Sequence, residues 1–310
     1  MLFDRLKEHA AFGRPYQIGL IGAGTFGAQI ARQIVVMTGL QLAAIADLRV
    51  DRARDLLGPG GVAVKNAAAL RDAVASGTPA ATDSAEALVS SDVDVVVEAT
   101  GRVETGIAHG LLAIMAGKHL AMVTVEADVV AGYYLRKMAE AAGVIYGLAY
   151  GDEPSLAAEL VDWAQTLGFR VVAAGKGTRF TPAFRKLNPD DVPRVYGFTG
   201  SDYNAQMFGS FLDGTKHAIE CCALANATGL GVDVRGMHFP TADLREIPDI
   251  IASRDKGGVL AREGVVEAVS SIDPQDRPVE RSLGAACTAS STGRLTRPST
   301  PCLATARSPG

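Results

Sequence analysis

The chain has 310 residues, of which 48% are hydrophobic and 21% charged, which suits two domains with buried cores and excludes global disorder. Its formal charge of -4 argues against electrostatic nucleic-acid binding. That charge is uneven, because residues 281–310 contain Arg281, Arg294, Arg297 and Arg307 and no acid, leaving the excess negative charge on the preceding residues. Cys221, Cys222, Cys287 and Cys302 make no C-x-x-C pair, so neither a zinc knuckle nor a disulfide framework is expected. Met1 to Arg14 is charged and amphipathic rather than leader-like. No apolar run reaches the roughly 18 residues that span a bilayer. We expect a cytoplasmic protein with reduced cysteines, a small-molecule substrate, and neither nucleic-acid nor membrane partners.

Along the first half, strand-like and helix-like segments alternate. Gln17–Ile21 reads as a buried strand, followed by glycines and a helix through about Val36. Leu40–Ala46 is a second strand, Val50–Leu57 a short helix and Val62–Lys65 a third strand. The D-V-V-V-E run at Asp94–Glu98 has strong β propensity. Glu104–Gly117 is helical, His119–Val123 a strand, Asp128–Ala142 helical, and Val144–Tyr150 closes the series. This alternation predicts an α/β fold: a Rossmann-type doubly wound parallel sheet.

After Tyr150 the pattern changes. Ser155–Leu167 is expected to be helical, with a stop at Pro154, and Arg170–Ala174 strand-like. The segment 175–203 is polar and punctuated by prolines. One strong helix is predicted from about Asn204 to Thr228, ended by Gly229. We therefore divide the chain into a dinucleotide-binding domain (1–150), an α+β substrate and oligomerisation domain (151–281), and a distinct tail (282–310). A homo-oligomer is expected. The tail lacks acids, aromatics, isoleucine and valine. It reads either as disordered or as the product of a reading-frame change.

Gly22-Ala23-Gly24-Thr25-Phe26-Gly27 directly follows the first strand and opens the first helix of the sheet, the context that a G-x-G-x-x-G dinucleotide site requires. Gly22 permits the tight turn, Gly24 a close approach to pyrophosphate, and Gly27 close helix–strand packing. The helix N-terminus presents N–H groups to the phosphates. Asp47, about 20 residues on, is placed to bond the adenosine ribose, which favours NAD. Arg49 and Arg52 instead suit a 2′-phosphate, or lie on the helix surface, so NAD and NADP both remain open. Thr100 and Gly101 fall at the carboxyl end of a sheet strand, where such folds bind ligands. Glu126 either works near the nicotinamide or caps the following helix. His109 and His119 are expected to be structural.

In the second half, Lys176 lies between Gly175 and Gly177 at a predicted strand end, where a ligand would meet an ammonium group. Asp213 and Lys216 are three apart on a predicted helical face, and Gly214 inside that helix costs about 1 kcal/mol relative to alanine. They form either a surface salt bridge or a pair suited to hydride transfer. In the second case Lys176 and Lys216 handle the substrate oxygen, polarising it or relaying its proton, and Asp213 orients Lys216. Asp152 and Glu153 are adjacent carboxylates. They either hold a divalent metal or serve as helix N-terminal acids.

The segments GLIGAGTFG, VDVVVEATG, AGKHLAMVT and the lysine–aspartate helix resemble the homoserine-dehydrogenase-like oxidoreductases. MLFDRL, AYGDEP, ELVDWAQTLGFRVVAAGKGT, NAQMFGSFLDGTKHAIE, LANATGL and GVVEAVSSIDPQDRPVERSL are similar to the branch that includes the second type of 1-deoxy-D-xylulose 5-phosphate reductoisomerase. The resemblance covers about residues 1–282. It implies NAD(P)-dependent hydride transfer to or from a small hydroxy or carbonyl compound, with reductoisomerisation as one alternative. The other alternative is a catalytically impaired dinucleotide-binding protein. Branch members continue beyond the PVER-like segment into a SAF-type domain, so part of the substrate domain is expected to be missing here. Homoserine dehydrogenases carry a lysine near the position of Thr124–Glu126; Glu126 makes homoserine itself a poorer expectation.

Overall fold

The computed structural model describes residues 1–197 and 204–283, together with the backbone of 303–307. The chain separates into two compact units at Ala149/Tyr150.

The first unit begins with α1 (Leu2–Ala11), then β1 (Tyr16–Ile21), α2 (Thr25–Val36), β2 (Leu40–Ala46), α3 (Val50–Leu56), β3 (Val62–Ala63), α4 (Ala67–Ala75), β4 (Ala80–Thr82) and α5 (Ala85–Val89). It continues through β5 (Val95–Glu98), α6 (Val103–Met115), β6 (His119–Met122), α7 (Val125–Ala142) and β7 (Tyr146–Leu148). The sheet has seven strands in the order β3-β4-β2-β1-β5-β6-β7, with every pairing parallel. The chain winds outward from β1 through β2, then returns to β5 on the other side of β1. The switch point of this Rossmann-type fold is therefore at the carboxyl ends of β1 and β5, where ligands bind in open α/β sheets.

Its helices pack by apolar stripes. On α2, Gly27, Ala28, Ala31 and Ile34 are buried at helical spacing against the β1–β2 side of the sheet. α7 starts three residues earlier than expected and ends at Gly143, whose φ of 70° is the left-handed stop that glycine favours. The segment α4–β4–α5 went unread in the sequence. Its short, alanine-rich pieces carry little periodic signal, although Asn66 and Ser84 cap the two helices with their side chains.

The second unit contains α8 (Glu153–Thr166), β8 (Arg170–Thr178), α9 (Val192–Tyr196), α10 (Ala205–Leu212), α11 (Thr215–Thr228), β9 (Gly231–Val232), α12 (Ile247–Ile250), β10 (Val265–Ser270) and β11 (Leu303–Arg307). Its sheet runs β11-β8-β10-β9, with β8, β10 and β9 parallel and β11 antiparallel to β8. The parallel part makes this domain α/β rather than the expected α+β. Ala157, Val161 and Ala164 of α8 pack with Val171, Ala174, Cys221, Leu224 and Val266 in its core.

Three local expectations change. Pro154 lies in the first turn of α8 rather than before it, since its missing N–H has no partner to lose there. β8 extends to Thr178, so Lys176 lies within the strand rather than beyond it. The long predicted helix is two helices, broken at Gly214 with φ 87°. Of the tail, 284–302 and 308–310 lie outside the described residues, Leu283 is buried, and the backbone of 303–307 pairs with β8.

Candidate functional site

At the carboxyl edge of the first unit the three fingerprint glycines have different reasons to be glycine. Gly22 has φ 102°, and a Cβ there would lie 2.7 Å from the Ala99 carbonyl oxygen. A Cβ on Gly27 would fall 1.9 Å from the Gly22 carbonyl oxygen. Both are fixed by packing within the protein. A Cβ on Gly24 would meet nothing within 4 Å. Only Gly24 leaves an open approach to the backbone, directly before the first turn of α2. Thr25 and Phe26 are exposed there, and the N-cap Gly24 supplies no capping side chain. The helix start thus retains N–H groups for an anion. These residues fit the pyrophosphate of a dinucleotide.

Asp47 follows β2, and its carboxylate accepts hydrogen bonds from Ala23 N at 2.6 Å and Arg49 N at 2.8 Å. It therefore anchors the glycine loop. Arg49 is exposed at the N-cap position of α3. Across the edge, Thr100 is half-buried and Gly101 exposed, and the Gly101 N–H donates to Thr124 Oγ1 at 3.0 Å. Glu126 lies in the first turn of α7, where a carboxylate complements the helix dipole. His119 lies at the start of β6, the opposite edge, and its Nδ1 accepts from Ile145 N at 3.0 Å.

The second unit gathers a charged cluster that sequence alone did not show. Lys176 is 5% exposed, with Nζ 3.0 Å from Glu153 Oε1 and directly paired with Glu220 Oε2. Burial works against its charge, yet Glu220 and Glu153 raise its pKa above the ordinary lysine value. It is a fixed cation rather than a proton donor near neutrality. Gly175 beside it serves packing, because a Cβ would fall 1.7 Å from the Glu267 carbonyl oxygen on β10. The expected ligand approach at that glycine is therefore taken by the neighbouring strand.

Lys216, on the first turn of α11, has Nζ 3.8 Å from Glu220 Oε1. Asp213 caps the end of α10, and its Oδ1 accepts from Thr215 N at 2.7 Å. The break at Gly214 removes the common helical face expected for Asp213 and Lys216, and Glu220 stands next to Lys216 instead. His217, buried on α11, donates from Nε2 to the Phe211 carbonyl at 2.8 Å and lies beside the Thr178 hydroxyl. Glu220 and His217 were missed in the sequence. The i, i+4 spacing of Lys216 and Glu220 was the available signal.

Burial holds Asp152 up, to about 7, aided by the Glu220 charge and by Glu153; Lys216 pulls it down. Burial would also raise Glu220, but His217, with Nδ1 3.9 Å away, and the two lysine charges bring it down to about 2. Ligand oxygens of Asp152, Glu153 and Glu220 lie within 4.8 Å of one another. That spacing would suit a metal, but Lys176 already serves as the cation for Glu153 and Glu220. A divalent ion at Asp152 and Glu153, the expected place, would share the carboxylates with Lys176.

Fold and glycine edge together define a Rossmann-type dinucleotide-binding fold. Residues 22–148 match the family model of the homoserine dehydrogenase NAD binding domain, and residues 151–280 match the catalytic domain of oxidoreductase DRL. Each match falls within one of the two compact units. No curated protein matches it. Among solved structures it is similar to a homoserine dehydrogenase from Thiobacillus denitrificans, at 20% identity and a TM-score of 0.46, covering 70% of this chain and 50% of that one. It is also similar to the WlbA dehydrogenase from Bordetella pertussis in complex with NADH and UDP-GlcNAcA, at 16% identity and a TM-score of 0.39, covering 58% and 50%. The chain spans about half the length of the solved structures it matches. Among the described residues no helix is long and apolar enough to cross a membrane.

Proposed function

We propose that the protein is an NAD(P)-dependent oxidoreductase that moves a hydride between nicotinamide and a small hydroxy or carbonyl substrate. The observation that carries this reading is the Lys176–Lys216–Asp152–Glu153–Glu220 cluster in the unit that accompanies a dinucleotide-binding fold. Gly22 to Gly27 and Asp47 would hold the cofactor, with Arg49, Thr100, Gly101 and Glu126 at the same edge. When bound, the nicotinamide supplies or accepts the hydride.

Reducing a carbonyl also requires a proton on its oxygen. Asp152 is the group poised to exchange one, because its pKa near 7 matches the usual working range of a general acid or base. Lys216 polarises the substrate oxygen, and Glu220, kept ionised, orients Lys216 in the role the sequence suggested for Asp213. Lys176 holds Glu153 and Glu220 in place. Steady-state NADH and NADPH oxidation with a panel of hydroxyaldehydes and ketones tests the proposal. Turnover that depends on Lys216 supports it, whereas cofactor binding without turnover on the whole panel favours the catalytically impaired reading.

A second, narrower reading is a reductoisomerase that rearranges and reduces a phosphorylated deoxy-sugar. The resemblance of about residues 1–282 to the branch that includes the second type of 1-deoxy-D-xylulose 5-phosphate reductoisomerase favours it. NADPH oxidation with 1-deoxy-D-xylulose 5-phosphate separates it from simple dehydrogenation. A homo-oligomer and a cytoplasmic location belong to the same proposal. Sedimentation and fractionation test them.

A further inference from the structure

Glu98 is the last residue of β5 and is 0% exposed, a carboxylate buried at the switch point of the sheet. Its partners come from several segments of that edge. Oε1 accepts from the Thr100 hydroxyl at 2.5 Å and from Thr100 N at 3.2 Å. Oε2 accepts from the Thr124 hydroxyl at 2.5 Å, and the same Thr124 oxygen accepts from Gly101 N at 3.0 Å. His109 Nδ1, on α6, lies 3.6 Å from Oε1. These hydrogen bonds overcome the cost of burial and keep the carboxyl below its ordinary pKa. A Cβ on Gly106 would come 3.1 Å from Glu98 Oε2, so α6 carries glycine where it passes over the carboxylate.

A buried charge with this many specific partners is a costly way to fill a core, and an apolar side chain would do that at less expense. What it does here is tie the loop after β5 to the loop after β6. The loop after β5 is also pressed against the glycine turn, since Ala99 O would touch a Cβ on Gly22. Asp47 places the adenosine end on the β2 side of β1, and Gly22 to Gly27 hold the pyrophosphate. The remaining half of a dinucleotide must then extend towards β5 and β6, where Thr100 and the exposed Gly101 lie.

We infer that Glu98 is a positioning residue: through Thr100 and Thr124 it fixes the Thr100–Gly101 backbone for the nicotinamide half of the dinucleotide. This rests on the cofactor reading above. Small errors in such a supporting shell loosen the site it holds.

The test compares two ligands on the full chain by calorimetry: the preferred coenzyme of NADH and NADPH, and the matching adenosine half (ADP, or its 2′-phosphorylated form). The variants are Glu98→Gln and Thr124→Val, the second keeping shape while cutting the link to Gly101. We expect the coenzyme to bind at least about tenfold more weakly to each variant, with the adenosine half within about twofold of wild type. Unchanged coenzyme affinity in a folded variant overturns the inference, as does equal weakening of both ligands, which marks a purely structural role. If Glu98→Gln does not fold, Thr124→Val alone decides. Failure of wild type to bind either ligand refutes the cofactor reading instead, a separate outcome.

Discussion

Lys176 Nζ sits 3.0 Å from Glu153 Oε1 while pairing with Glu220, which places one buried ammonium between carboxylates from α8 and α11. Removing one partner of a buried pair leaves an uncompensated charge. Lys176→Met should therefore lower stability by about 3–5 kcal/mol. Urea unfolding at neutral pH measures it, and a loss below about 1 kcal/mol would mean that the carboxylates are not held by this lysine.

Asp152 sets a pH dependence. Its folded pKa near 7 lies above the ordinary 3.8, so the folded state keeps a proton that the unfolded chain releases. Its contribution is full below about pH 4 and is lost as pH rises through about 7. Glu220 runs the other way: its contribution is present above about 4.5 and is lost only as pH falls towards 2. Asp152→Asn should gain on wild type in Tm as pH rises from about 5 to about 8. A constant difference between the two proteins across that range would contradict the assignment.

The fingerprint glycines predict a split between stability and binding. Gly27→Ala forces a Cβ into the Gly22 carbonyl and should destabilise by about 1–3 kcal/mol. Gly24→Val meets no protein atom at its Cβ. It should leave Tm near wild type while weakening dinucleotide binding at least about tenfold. Undiminished binding in Gly24→Val would place the pyrophosphate elsewhere.

Asp47→Ala should move coenzyme preference towards NADP, because it removes a negative charge from the ribose position. It should also weaken NAD itself, since Ala23 N loses its anchor at 2.6 Å. The ratio of NADP to NAD dissociation constants is the readout. No change in that ratio would confine Asp47 to bracing the loop.

Much of this was legible in the sequence where local patterns repeat. The strand at Leu40–Ala46 was read at its full length, and the glycine turn was placed correctly, because a βαβ unit imposes both periodicity and glycine spacing. The second unit was less legible because its charged cluster is made by tertiary approach. Glu153 and Glu220 are 67 positions apart, and only the packing of α8 and α11 against β8 brings them to Lys176. Gly214 was read as an interruption within one helix, yet its left-handed backbone starts a new one and separates Asp213 from Lys216. Gly175 looked like room for a ligand and proved to be room for the β10 backbone.

The most direct test of the account is kcat together with dinucleotide affinity for Lys216→Ala. We expect kcat to fall about 10²-fold or more while the dissociation constant for NADH or NADPH stays nearly unchanged. An ordinary kcat in that variant would contradict it and return Lys216 to a surface charge paired with Glu220.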